Sequence, residues 1–260
     1  VTSDDDRVSS ADPTEEARSS HSRHKRKPLP LWQETILLLG VALVLALVVK
    51  TFFIQAFYIP SESMEPGLVV DDRILVQKVS YWGGGEPERG DVVVFEDPGG
   101  WLSGVGAEPA TPMIKVMTKL GLYPTGGHLV KRVIGVAGDT IECCDDQGRL
   151  LVNGEPLDED DYVQRAGVTC NGPMVNGCDK DWTAGPVPDG HVFVMGDNRA
   201  RSADSSEHMC TDRETDCVPG DEFVRADSVV GKVFVLLWPA DRFTWKTRPE
   251  TFEDVPDAKS

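Results

Sequence analysis

The run ILLLGVALVLALVV, Ile36 to Val49, constrains this chain more than any other feature. As a helix its 14 residues rise about 21 Å, short of a ~30 Å hydrocarbon core. Thr35 to Ile54 makes a full 20-residue span if Lys50 snorkels to the interface and the helix continues through Thr51, Phe52 and Phe53. Trp32 stands where an interfacial anchor would. The helix of a soluble domain should carry a polar stripe at period 3.6, whereas this run is apolar all round. The following KTFFIQAFYIP has no small-x-small cleavage site, which predicts an uncleaved anchor in place of a signal peptide. Arg23, Lys25, Arg26 and Lys27 precede the span, so residues 1–30 are expected in the cytoplasm and residues 58–260 outside it.

The chain's 26 Lys+Arg and 43 Asp+Glu leave a net charge of −17, and that charge is unevenly placed. Residues 1–30 carry six acids and six bases, residues 31–58 only Glu34 and Lys50, and residues 59–260 hold 36 acids against 19 bases. An acidic external part argues against nucleic acid as a partner, since phosphate binding needs a basic face. All six cysteines, at 143, 144, 170, 178, 210 and 217, fall in that part, where disulfides form. Six cysteines allow 15 connectivities. The local pairs Cys170–Cys178 and Cys210–Cys217 would close short loops, while adjacent Cys143 and Cys144 are poorly placed to bridge each other. No C-x₂-C spacing exists and the histidines are scattered, so no metal site is expected.

The external part reads as mostly antiparallel β. Short Val/Ile/Leu/Phe runs at Arg73–Val79, Asp91–Phe95, His128–Val136, Thr140–Glu142, Leu150–Val152, Gly190–Met195 and Val229–Trp238 alternate with Gly, Pro and Asp. Gly83–Gly85 reads as a hairpin turn. The expected organisation is a cytoplasmic tail (1–30), an anchor (31–57), a β core (58–144 and 189–248, with a loop insertion at 97–127), an inserted subdomain (145–188) and a C-terminal tail (249–260). A short helix is possible at Met113–Leu120.

Four segments could carry chemistry. In YIPSESMEPGL, Ser61 and Ser63 lie in a turn stiffened by Pro60 and Pro66, which can expose a hydroxyl and free N–H groups for an oxyanion; a plain turn is the alternative. In HLVKRVIGVAGD, Lys131 interrupts an apolar strand, and burial there would lower its pKa towards a usable base. Strict alternation sends one of Lys131 and Arg132 inward and one outward without saying which. In MGDNRARSADSS a strand ends in a polar loop where Asp197 could pair with Arg132 and Ser202 could orient an amine. In ERGDVVVF, the Arg-Gly-Asp triplet of residues 89–91 reads as a tight turn before a strand, or as an adhesion motif.

The order of these segments resembles the type I signal peptidases: anchor, Ser-x-Ser-Met turn, RGD strand, Lys-Arg strand, then GDNR…S-x-D. The resemblance spans about residues 31–245. It implies a signal-peptidase-like antiparallel β fold behind a single transmembrane helix, and a serine endopeptidase of the outer face of the cytoplasmic membrane that needs no cofactor. Its partners would be secretory preproteins and the lipid bilayer. By resemblance Ser63 is the nucleophile, Lys131 the general base, Ser61 an oxyanion donor and Ser202 the residue that orients the amine. Ile59, Met64, Leu68 and Val130 would line pockets for small side chains, and Arg132, Asp197 and Asp204 would support the site.

Three positions depart from the family's box, which commonly reads GDNR-D-N-S-x-D-S-R. Ala200 and Arg201 replace an Asp-Asn pair, and Ser206 replaces the final arginine, so Asp204 loses its usual partner. Arg201 or Arg213 is the expected substitute. Two other readings stand beside the peptidase. One is an inactive, membrane-tethered interaction protein of the same fold. The other is a different Ser/Lys hydrolase, whose S-x-x-K would have to be Ser22–Lys25 in the tail.

Overall fold

The computed structural model describes residues 30–102, 127–164, 182–210 and 218–258. Leu31–Val48 is helix α1, extended by a π-helical turn over Val49–Phe53. Helix α1 buries no residue, and its mean hydropathy of 2.1 over 18 residues is enough to cross a membrane. The helical run ends at Phe53, before the expected end of the anchor at 57. Ile54–Tyr58 is strand β1, whose backbone pairs antiparallel with β2 (Arg73–Gln77), from Ile54 opposite Gln77 to Tyr58 opposite Arg73. Those pairings occupy backbone groups that a continued helix would have needed.

The main sheet also contains β3 (Val92–Glu96), β4 (His128–Val136), β9 (His191–Met195), β10 (Val224–Arg225) and β11 (Val229–Trp238). Its order is β1-β2-β11-β3-β4-β9-β10, with β12 (Thr244–Trp245) added on β11, and all its pairings are antiparallel. A smaller sheet of order β7-β6-β5-β8 is built from β5 (Ile141–Cys143), β6 (Leu150–Val152), β7 (Glu155–Pro156) and β8 (Trp182–Ala184). It begins at Ile141, ahead of position 145. The Met113–Leu120 segment lies outside the described residues. Gly83–Gly85 is not a hairpin turn; Val79–Gly84 forms 3₁₀ turns broken by a kink at Trp82 and Gly83, and Gly83 and Gly84 take positive φ.

Both faces of the main sheet are covered where it is widest. Val92 and Val94 of β3 pack with Phe57, Ile74 and Leu236, while Val93 and Phe95 pack with Leu129, Val133 and Val194. Strand β9 behaves the same way: Val192 and Val194 join that second cluster, and Phe193 and Met195 join a third with Ile141, Leu150 and Phe252. Strands buried on two faces read as near-continuous apolar runs, which accounts for VVVF and VFVM. The chain after position 249 is packed as well, with Phe252 and Val255 buried in the third cluster.

The Arg-Gly-Asp triplet is consumed by the fold. Arg89 makes a two-pronged pair with Asp139, at 2.7 and 2.6 Å. Asp91 is 1 % exposed and accepts bonds from Lys232, Arg248 and Tyr81. Gly90 has φ +84°, and a Cβ there would meet the Phe252 ring at 2.8 Å. A triplet so enclosed cannot serve adhesion. The cysteines bring a correction: Cys143 and Cys144 bridge each other. Cys210 is disulfide-bonded, and Cys170, Cys178 and Cys217 lie outside the described residues.

The segment after β7 returns to the main sheet. Within the acid run Asp158–Asp161, Glu159 alone is fully buried and takes two bonds from Arg199, at 3.0 and 2.6 Å. The Tyr162 hydroxyl donates to the same carboxylate at 3.0 Å. Pro66 pairs with Val163, and the Gln164 N–H donates to the Asp197 carbonyl at 2.8 Å. Removing one member of a buried ion pair strands the other without water. Glu159→Ala is therefore expected to lower unfolding stability by about 3–5 kcal/mol. Urea unfolding of the full chain in detergent checks this, and a change below about 1 kcal/mol would contradict it.

Candidate active site

Ser63 sits in the turn between β1 and β2. The turn is closed at its base by Ile59 N–H to Asp72 O (2.9 Å) and Asp71 N–H to Ile59 O (3.0 Å), and internally by Leu68 N–H to Met64 O (2.8 Å). Ile59, Met64 and Leu68 are at most 2 % exposed and share one apolar cluster with half-buried Val130. These anchors hold the turn on the sheet and place Ser63 at its edge, 7 % exposed. Ser61 is exposed, with its Oγ 3.3 Å from that of Ser63. All four residues expected to line substrate pockets thus fall in one cluster beside the turn.

Lys131 and Arg132 are both buried, at 3 % and 6 % exposed, against the expectation that alternation would send one outward. The reason is the doubly covered sheet. Lys131 lies opposite Val93 and Arg132 opposite Val92 and Met195, so each points into a different packed face. The two charges are handled differently. Arg132 makes a two-pronged pair with Asp197 at 2.8 and 2.7 Å, donates to the Gly90 carbonyl at 2.9 Å, and stacks 4.3 Å over the Tyr162 ring. Burial works against its charge and Asp197 outweighs it, so its pKa rises. Lys131 makes no ion pair among the described residues. Burial lowers its pKa to about 8, while Asp204 and Asp197 pull the other way. An amine tuned to that range can act as a base near neutral pH.

The loop after β9 completes the site. Gly196 lies between the two serines: a Cβ there would meet Ser202 Oγ at 2.3 Å and the Ser63 carbonyl at 2.4 Å. Only glycine allows that approach. The Asn198 N–H donates to the Ser63 carbonyl at 3.0 Å, tying the loop to the turn. Ser202 is 9 % exposed and donates to Asp204 Oδ2 at 2.5 Å. Arg201 does not replace the missing partner of Asp204. It pairs with Glu62 on the surface, spanning from this loop to the Ser63 turn. Arg213 lies outside the described residues. The groups that bond Asp204 are Ser202, the Gly196 N–H, and the N–H and hydroxyl of Ser206.

Sequence reasoning missed several contributors. Glu159 looks no different from its acidic neighbours, and only the fold selects it. Gly196 carried a signal in the Gly-Asp-Asn turn, though not its reason. Lys246 donates to the Gly67 carbonyl at 2.7 Å, holding the far end of the turn, and burial lowers its pKa. A cavity of about 840 Å³ borders the turn, with Met64, Leu68, Arg132, Tyr162 and Lys246 in its wall; Ser63 and Lys131 do not line it. Among the described residues no cluster of His, Cys, Asp and Glu is placed to hold a metal.

Comparison with known proteins identifies the family. The family profile described as "Signal peptidase, peptidase S26" matches residues 32–238. A "Signal peptidase I" of Mycobacterium tuberculosis is 39 % identical over 226 residues, covering 81 % of this chain and 74 % of its own. A "Probable signal peptidase I" of Mycobacterium leprae is 36 % identical over 239 residues, covering 84 % and 80 %. A "Signal peptidase I" of Leptolyngbya laminosa is 34 % identical over 209 residues, covering 80 % and 81 %. With a profile match over most of its length and relatives at this identity, the chain belongs to the signal peptidase family, the S26 peptidases, and is a serine endopeptidase.

Proposed function

We propose that this peptidase removes signal peptides from secretory preproteins, with Ser63 as nucleophile and Lys131 as general base. The observation that carries the reading is an amine buried in an apolar sheet, free of any ion pair among the described residues, with its pKa at about 8. A lysine that is merely structural would be exposed or paired to a carboxylate, as Arg132 is.

The chemistry follows in two halves. Lys131 Nζ takes the proton of Ser63 Oγ as that oxygen attacks the scissile carbonyl carbon after a small residue. The Ser61 hydroxyl and the Ser63 N–H donate to the oxyanion. Collapse breaks the C–N bond, and Lys131 returns its proton to the departing amine of the mature protein. Water then attacks the Ser63 ester, giving a proton to Lys131; collapse breaks the ester C–O bond as Lys131 returns that proton to Ser63 Oγ, and the signal peptide leaves as an acid that ionises to a carboxylate. Ser202, held by Asp204, orients the amine. Ile59, Met64, Leu68 and Val130 supply a shallow apolar wall that suits small side chains. Helix α1 anchors the enzyme, and the basic cluster before it puts the β domain on the outer face.

Three outcomes are expected. Incubation with a secretory preprotein should yield a new N-terminus directly after a small-x-small site. Ser63→Ala and Lys131→Ala should each cut the rate at least about a thousandfold with the circular dichroism spectrum unchanged. Retained cleavage in either variant sinks the assignment.

The base must be neutral to act, so the kcat/KM profile should rise about tenfold per pH unit below a midpoint near 8 and level off above it. A profile flat from pH 6 to 9 would contradict a buried lysine base.

Stability gives an independent check. The folded-state pKa of Lys131 lies below its unfolded value, so the unfolded chain binds the extra proton between about 8 and 10.5. The resulting penalty is complete below pH 8 and fades as pH rises to 10.5. Lys131→Met should therefore be more stable at pH 7 by up to roughly 3 kcal/mol, with the gain vanishing above pH 10.5. A variant less stable than the parent at pH 7 would contradict this.

A further inference from the structure

Asp204 is a carboxylate at 1 % exposure with no cation bonded to it among the described residues. A buried charge in that state has to be held by hydrogen bonds. Four reach it: Ser202 Oγ at 2.5 Å and the Gly196 N–H at 2.8 Å on Oδ2, and the Ser206 N–H at 3.1 Å and Ser206 Oγ at 2.7 Å on Oδ1. One oxygen thus faces the catalytic loop, and the other belongs wholly to Ser206. Ser206 is itself 4 % exposed and has no water-facing role. Its neighbour Ser205 is locked to β9 by the Val194 N–H, at 2.9 Å, so the segment that presents Ser206 is fixed in place.

We propose that Ser206 is a positioning residue for the Lys131 amine: its hydroxyl and N–H hold the Asp204 carboxylate turned towards Ser202, and because a hydroxyl carries no charge, the carboxylate's field falls on Lys131 undiminished. The inference rests on the Ser63/Lys131 reading and adds a determinant to it. The charged groups around Lys131 leave Asp204 in that position. On its own strand Arg132 is committed to Asp197, and in the loop after β9 Arg199 is committed to Glu159. From β3 the facing residue is Val93. On the nucleophile turn Glu62 and Glu65 act on Arg201. Asp204 and Asp197 are the carboxylates that act on Lys131, and Asp197 already has its guanidinium. A positive group at position 206 would neutralise Asp204 and make the lysine easier to deprotonate.

The test uses the full chain in detergent, with a preprotein substrate and kcat and KM measured from pH 6 to 10. Ser206→Ala should lower kcat about tenfold with KM within about twofold, since the amine loses its fixed orientation. Ser206→Thr, which keeps the hydroxyl, should restore kcat to within about threefold of the parent. Ser206→Arg should move the acid limb of kcat/KM to lower pH by about one unit. If Ser206→Arg does not fold, the alanine and threonine variants decide the matter by themselves. The proposal is overturned if Ser206→Ala keeps the parent's kcat, if threonine is as impaired as alanine, or if a folded Ser206→Arg leaves the acid limb in place. Failure of the underlying reading looks different: the parent would leave the preprotein uncut, or Lys131→Ala would still cut it.

Discussion

Strand β4 places an amine and a guanidinium, Lys131 and Arg132, at successive positions in a sheet packed on both faces, and both are withdrawn from water. Desolvation opposes each charge, and the two side chains have different ways out. Arginine keeps its proton, so Arg132 requires the two-pronged Asp197 and the Tyr162 ring around it. Lysine can give its proton up, and with no ion pair to hold it, it does so near pH 8. Lys131 is the more easily deprotonated of the two because its neighbour's charge is compensated and its own is not.

The rest of the site is arranged around that inequality. Asp197 serves Arg132 through its side chain while its carbonyl receives the Gln164 N–H, so the returning segment after β7 registers directly on the catalytic loop. Glu159 then secures Arg199 two residues further along that loop. From the other side, Asn198 bonds the Ser63 carbonyl and Gly196 lets Ser202 and Ser63 approach over a bare Cα. The Ser63 turn and the loop after β9, more than a hundred residues apart in the chain, meet through the bond from the Asn198 N–H to the Ser63 carbonyl and the close approach at Gly196. The acidic surface that dominates the charge count has little part in this. Its contribution at the site is the exposed Glu62–Arg201 pair, which solvent screens.

Strands were legible wherever apolar residues ran or alternated between turn formers. All seven expected strand segments overlap a strand of the structure. Strand β1 was hidden because FFIQAFY continues the hydrophobicity of the preceding helix, and hydrophobicity alone does not distinguish a helix end from a strand in contact with it. β8 and β10 are three and two residues long, too short to show a period. The bridge between Cys143 and Cys144 was not read from the sequence, where closure of short loops favoured other pairs.

Motif order was enough to single out Ser63, Lys131, Ser202 and Asp204, because residue types with the right chemistry recurred in a recognisable sequence. What the sequence by itself determined was therefore the apolar helix, the antiparallel strands and the residue types gathered at the candidate site, all of which are local or ordered along the chain. The tertiary structure decided the electrical state of those groups. Only packing on both faces buries Lys131 and Arg132 together, only register gives Asp197 to one of them, and only the turn after β9 hands Asp204 to Ser206 in place of a cation. Proton affinity depends on what surrounds a group in space, and neighbours in space are not neighbours in sequence.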